Sequence, residues 1–329
     1  MKNLVCLAGL TAALGFACAL RAAEIDDTMV KSFPAPAGGK LVIDSDRGSI
    51  DIKTGDGDQV EIRVQRTVKA PTATRAEETL KNHELTFAAE GPQVTVRARF
   101  RGKLGGFLRQ SPELQVRYVV QVPRRFNLDL QTAGGSITVG DLTGTLRAQT
   151  AGGNIKTGKI DDTVWARTAG GSITIAAAAA RVDARTAGGS IDIGTAGGDA
   201  VAETAGGSIR IRQAGAGVRA ETAGGGITLD ECTGPLHART AGGSISATLT
   251  GSPETDCSLE TAAGSIELQV PRTCSAEIDA ATAGGTVRTD LSIVVQGEQK
   301  RGALEGKLGQ GGRTLRLRTS AGNIHLKAR

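Results

Sequence analysis

The tetrad Thr-Ala-Gly-Gly opens at Thr132, Thr150, Thr168, Thr186, Thr204, Thr222 and Thr240, each 18 residues after the one before. Looser turns of the same pattern open at Thr261 and Thr282, each after a further 21 residues, and at Thr319 (Thr-Ser-Ala-Gly-Asn-Ile). A degenerate version, Ser45-Asp46-Arg47-Gly48-Ser49-Ile50, stands near the start. A fixed period of this kind marks a stacked repeat. Eighteen residues with Gly-Gly in every unit leave no room for a helical pair and too few side chains to enclose a core alone. Each unit must bury its apolar face against its neighbours, as the coils of a solenoid do.

Within each unit two short stretches alternate apolar with polar, the pattern of strands buried on one face. In the first the apolar pair is Ile137/Val139, then Ile155/Thr157, Ile173/Ile175, Ile191/Ile193, Ile209/Ile211 and Ile227/Leu229. In the second it is Leu146/Ala148, Val164/Ala166, Val182/Ala184, Ala200/Ala202, Val218/Ala220 and Leu236/Ala238. The parity of the second strand runs on to the repeat Thr, which is expected to point inward. Gly-Gly is expected to give the corner either positive φ values or a close backbone approach. These strands predict an all-β chain, a parallel β-helix with 18-residue coils whose equivalent positions form ladders ~4.8 Å apart. About ten coils make a rod on the order of 50 Å long. The recurring Ala implies a thin cross-section, with Ile on one wall facing Ala on the other.

The two ends depart from this rhythm. Residues 24–131 carry longer alternating strands around Val60-Ile62-Val64, Val94-Val96 and Val116-Tyr118-Val120-Val122, with a helix expected over 73–82. They read as an N-terminal cap and first β-helix segment, since an open solenoid edge invites aggregation. Regular repeats fill 132–289, and 290–329 reads as an insertion followed by a final coil that Leu315 and Leu317 bring back into rhythm. Residues 1–23 have the form of an export signal: Lys2, an apolar run from Leu4 to Leu20, then small residues with cuts expected after Ala19, Ala22 or Ala23. No later stretch approaches the ~20 apolar residues of a membrane span, so no transmembrane segment is expected in the mature chain.

Composition removes several function classes. Only 1 Trp, 1 Tyr and 6 Phe are present, too few for the ring platforms on which single-stranded nucleic acids stack. Net charge is +5 and drops by two when Lys2 and Arg21 leave with the signal, so nucleic acid is not an expected partner. Three His and no CxxC spacing leave no material for an ordinary metal or His-based site, and no cofactor is expected. The Gly-Gly turns lack the helix or Gly-Lys-Ser/Thr ending of a phosphate loop. Aspartates in the turns fall at inconsistent offsets for calcium binding, and an inward Thr cannot form an ice-binding array. Export permits disulfides; Cys257 and Cys274, in successive repeats, are the candidate pair, the alternative being buried inert thiols there and at Cys232.

Two outward columns on the second strands carry most of the surface chemistry. One reads Gln149, Arg167, Arg185, Glu203, Glu221, Arg239, Glu260, the other Arg147, Trp165, Asp183, Val201, Arg219, His237. Ladder ion pairs are expected at Arg185/Glu203 and Glu221/Arg239, on a face with no localised pair of carboxylates of the kind glycoside hydrolysis uses. A denser feature lies in residues 97–125, where eight Arg or Lys stand against the single acid Glu113. Arg97, Arg99, Arg101, Lys103, Phe107 and Arg109 are its candidate contacts with anionic lipid, lipopolysaccharide or another acidic envelope polymer. The alternative is a capping loop whose charges sit in water.

At its Thr-Ala-Gly-Gly-Ser-Ile repeats the chain resembles the bacterial putative-adhesin family described by its β-strand repeats, a domain of unknown function. That family is related to the head domain of autotransporter adhesins named for a Gly-Ile-Asn motif. The resemblance spans roughly residues 35–329, including the 39–52 segment and the 118–123 strand. It implies a right-handed β-helix and an exported or surface location, whether periplasmic, outer-membrane-associated or extracellular. It supplies no catalytic or binding residues to carry across. The expectation is a non-catalytic, adhesin-like binding or scaffold protein whose ligand is an unidentified envelope or surface molecule. A polysaccharide lyase or hydrolase and a purely structural envelope spacer are the alternatives.

Overall fold

A computed structural model describes residues 23–102, 112–295 and 301–329. The alternating stretches form two long sheets, one of 14 strands and one of 15. Between Thr132 and Thr261 the strands within each sheet are parallel and in register, apart from one irregularity between Leu229 and Cys232. Ile155 pairs with Ile137 and Ile173, while Ala166 pairs with Ala148 and Ala184. Ile therefore lines one inner wall (the Ile sheet) and small apolar residues the other (the Ala sheet), as the alternation requires. Ile173, Ile191, Ala184 and Ala202 are all at most 1% exposed. One continuous apolar core runs from Ala35 to Leu326.

The repeat Thr points inward, and its hydroxyl staples the corner. Thr186 Oγ1 donates to the Gly171 carbonyl of the preceding coil at 2.7 Å and accepts from its own corner's Gly189 N–H at 3.3 Å. The same pair of bonds recurs at Thr150, Thr168, Thr204, Thr222 and Thr240. Of the two explanations offered for Gly-Gly, close approach is correct, because no tetrad glycine has a positive φ. A side chain on the second glycine of a tetrad would overlap the carbonyl of the preceding coil.

The cap closes the first edge with antiparallel strands. Ala23–Pro34 pairs with Gln59–Ala70, which pairs with Glu113–Pro123 in the Ile sheet. His83–Glu90 pairs with Gln93–Phe100 in the Ala sheet. The helix runs Ala73–Lys81, with Thr72 capping its start by accepting from Arg75 N–H and Asn82 at its end. Its Ala76 packs with Val68 and Ala70 in a small separate cluster.

Coil order departs from sequence order at both ends. Lys40–Ser45 lies between Gln93–Phe100 and Asn127–Thr132, and Ser49–Gly55 lies between Glu113–Pro123 and Ile137–Val139. Likewise Thr314–Thr319 is intercalated between Cys257–Thr261 and Ala276–Thr282, and Ile324–Ala328 between Ile266–Val270 and Val287–Thr289. The coil expected to end the rod is thus second from its end. The chain rises past an empty slot, turns back through Ile293–Val295 and Ala303–Leu308, and fills the slot last.

Candidate functional site

At each Thr corner the outward residue before the Thr and the Ala after it diverge, with the buried Thr between them. Stacking repeats this divergence into a straight gutter of about 870 Å³ along six coils. Its charged wall, in spatial order, is Arg185, Glu203, Glu221, Arg239, Glu260 and Arg318; the facing wall is Ala187, Ala205, Ala223, Ala241, Ala262 and Ser320. Five coil steps make it about 24 Å long. Arg318 was not legible in the column because only intercalation places it after Glu260.

Most charges of this wall are paired, either with each other or with side chains of the neighbouring outward column. Arg185 bonds Asp183 at 2.9 Å and Glu203 at 2.6 Å, and these contacts, Asp183 foremost, raise its pKa above the ordinary arginine value. The expected Glu221/Arg239 pair does not form: Glu221 is held at 2.6 Å by Arg219, two residues back on its own strand. Arg318 bonds both oxygens of Asp279 at 2.6 Å. Such partly exposed pairs contribute ~0–1 kcal/mol each and mainly order the surface. Arg239 has no carboxylate within ion-pair distance among the described residues, and His237 is exposed beside it.

Among the described residues, the basic cluster of 97–125 is dispersed, and four of its six arginines pair with acids from other segments. Arg99 pairs with Asp44, Arg101 with Glu84 at 2.9 Å, Arg117 with Asp51 at 3.1 Å and Arg124 with Asp56 at 3.3 Å. Arg97 and Arg125 are exposed without such a partner among the described residues. Arg117 lies in the Ile sheet while Arg97 and Arg99 lie in the Ala sheet, so they do not share a face. Lys103, Phe107 and Arg109 lie outside the described residues, as do residues 1–22 of the expected signal; Ala23 opens the first strand.

Cys257 and Cys274 are free, buried thiols rather than the expected bridge, and Cys232 is likewise free and buried. Cys257 Sγ instead accepts from Leu236 N–H at 3.3 Å. Burial raises all three thiols, Cys232 to about 12, so they remain protonated and inert. No group of three or more His, Cys, Asp or Glu that could hold a metal occurs among the described residues. No described helix is long and apolar enough to cross a membrane.

A buried polar cluster in the cap escaped the sequence reading. His83 is 2% exposed, and neither ring nitrogen has a hydrogen-bond partner among the described residues. Burial, aided by Arg66 and Arg47 and opposed by Asp46, pushes its pKa down to about 4. Beside it Ser45 Oγ and Tyr118 OH share a 2.8 Å hydrogen bond, and burial lifts Tyr118 to about 12. A folded-state pKa below the unfolded value of ~6.5 means that the unfolded chain binds the extra proton first. Stability is therefore lost as pH falls from ~6.5 to 4, by at most about 3 kcal/mol. Thermal midpoints measured across that range should fall for the wild type and much less for His83→Phe. Equal slopes would refute this account.

The model of the Toastrack family, a domain of unknown function designated DUF4097, matches residues 39–327, and the chain belongs to that family. No curated protein matches it in sequence. Solved structures similar to it include a putative cell adhesion protein from Clostridium sporogenes, at 10% identity, covering 93% of this chain and 100% of that one with a TM-score of 0.24. Others are a putative adhesin from Bacteroides fragilis, at 12%, 92% and 97% with 0.32, and a putative lipid binding protein from Parabacteroides distasonis, at 11%, 92% and 97% with 0.34. Likenesses this remote carry no argument about function.

Proposed function

We propose that this chain is an exported, non-catalytic binding and scaffold protein of the cell envelope, adhesin-like in role, which holds a linear ligand along the Thr-corner gutter. The observation that carries this reading is the gutter itself: one straight concavity over six coils, with methyls on one side and charges on the other. A groove that repeats at every coil suits an extended polymer better than a compact substrate, and an Ala wall gives apolar contact without large rings. Hydrolysis instead needs two carboxyl groups set about one scissile bond. Here Glu203 and Glu221 are each tied to an arginine within the ladder.

The purified chain should bind whole cells, peptidoglycan, lipopolysaccharide or acidic polysaccharide saturably, without releasing soluble product. Replacing Ala205 and Ala223 with Gln, which fills the gutter from its methyl wall, should weaken that binding by about tenfold or more while leaving the thermal midpoint within a few degrees. Product release from a polysaccharide would overturn the non-catalytic reading. Binding indifferent to a filled gutter would overturn its location.

A further inference from the structure

The chain's only Trp does not contribute to the core. Trp165 sits on the outer face of the Ala sheet, on the strand Val164–Arg167 between Leu146–Thr150 and Val182–Arg185, and is only part-buried. Two guanidinium groups lie against its ring: Arg147 at 3.8 Å and Arg167 at 4.2 Å from the ring centroid. Arg147 comes from the preceding coil, in register with Trp165, and Arg167 from two residues along the same strand. A guanidinium held by a ring keeps its five N–H donors in its own plane, available to an acceptor and already ordered.

Neither of these arginines has a close carboxylate partner among the described residues. Arg167 has no carboxylate within ion-pair distance among the described residues, and the nearest to Arg147 is Asp129 at 3.9 Å, which Lys40 also approaches at 3.4 Å. This sets them apart from Arg185, Arg219 and Arg318, whose forks are occupied by carboxylates of the ladder; Arg239 shares the lack of a partner, but no aromatic ring holds it among the described residues. Their place also matters. Arg167 is the register partner of Arg185, the residue at one end of the gutter, so the ring and Arg167 lie one coil beyond that end and Arg147 two.

We propose that Arg147, Trp165 and Arg167 form a platform that binds the carboxylate groups of an acidic linear polysaccharide as it leaves the gutter. This rests on the reading that the gutter holds a polymer, and it adds the polymer's chemistry. The gutter wall carries three arginines against three glutamates and selects by shape; the platform offers the unpaired fork of Arg167 and the loosely paired one of Arg147, each matching the paired oxygens of a carboxylate. A polymer carrying acidic sugars would gain charge-assisted bonds there, and its binding would weaken with salt.

Trp165 reports on the test directly, being the chain's sole indole. Oligogalacturonate is the carboxylate probe, its fully methyl-esterified form the neutral control and a glycerol-phosphate polymer the phosphate arm. Oligogalacturonate should shift Trp165 emission saturably, with the esterified form at least about tenfold weaker. Arg167→Gln should cost about tenfold in affinity, and Arg167→Lys nearly as much, because an ammonium keeps the charge but loses the planar fork. Both variants should melt with the wild type, as the side chain is exposed. If oligogalacturonate binding depends on the gutter variant but neither moves Trp165 nor responds to Arg167→Gln, the platform is refuted and the gutter reading stands. If no probe binds, and cells and envelope polymers do not bind either, both fail. Equal or tighter binding of the phosphate polymer overturns the carboxylate assignment.

Discussion

Gly189→Ala should cost on the order of 4 kcal/mol or prevent folding, while Gly188→Ala, one residue away, should cost less than about 1 kcal/mol. Both glycines sit at the same corner and both have ordinary φ values, so conformational freedom does not distinguish them. Space does. A Cβ on Gly189 would overlap the Gly171 carbonyl oxygen and carbon and come within 2.6 Å of Ser172 N, all backbone of the coil below. A Cβ on Gly188 meets nothing nearer than the Gly170 oxygen at 3.3 Å, a tight contact that a slight shift relieves. The chain already contains this experiment. The first glycine is replaced by Ala263 and Ala321 in the looser repeats, whereas Gly264, Gly322 and Gly285 keep the second. Separating the Gly189 coil from its neighbour would also break the Thr186 hydroxyl bonds on either side of the clash. Urea unfolding of the two variants would decide the matter; equal midpoints would show that the corner is governed by something other than coil-to-coil contact.

What the sequence makes legible is bounded by a physical line. Whatever depends on position within a coil was legible, because alternation with period two and a clock of 18 residues leave one consistent register. The inward Thr, the Ile and Ala walls and the outward charged columns all follow from that parity. Contacts between segments far apart in sequence were not legible. Arg99 and Arg117 looked uncompensated because Asp44 and Asp51 are more than fifty residues away, on strands that only stacking brings alongside. His83 gave no signal in isolation: a lone histidine at the start of a strand says nothing of the Arg66 and Arg47 charges folded about it. Parity places Trp165 outward, but its two stacked guanidiniums come from the ladder beside it rather than from a motif. Coil order was the least legible feature, since every coil offers its neighbour nearly the same edge.

Removing residues 314–329 should therefore do more than shorten the rod. Were coils stacked in sequence order, this truncation would strip the last one and leave the coil before it in place. In the intercalated arrangement it empties a slot inside the rod. Leu315 stacks on Cys257 below and Ile278 above, and Leu317 on Leu259 and Ala280. Leu315, Leu317, Ile324 and Leu326 are each at most 1% exposed, and four such side chains at ~1.5–3 kcal/mol apiece represent roughly 6–12 kcal/mol of burial. In a quasi-one-dimensional stack that loss falls on the neighbouring coils, not on the whole rod. The segment Ala276–Thr289 loses its parallel partner in both sheets, and the antiparallel strands Ile293–Val295 and Ala303–Leu308, which are attached to the rod through that segment, are loosened with it. Amide exchange on the truncated chain should show protection lost across 276–308 and preserved from Thr132 to Leu249. If 276–289 stays as protected as in the full chain, the coils restack serially and the slot has no structural consequence. Fast exchange there would show instead that the C-terminal coil acts as the keystone of this end, and that Arg318 completes the gutter only after the keystone is seated.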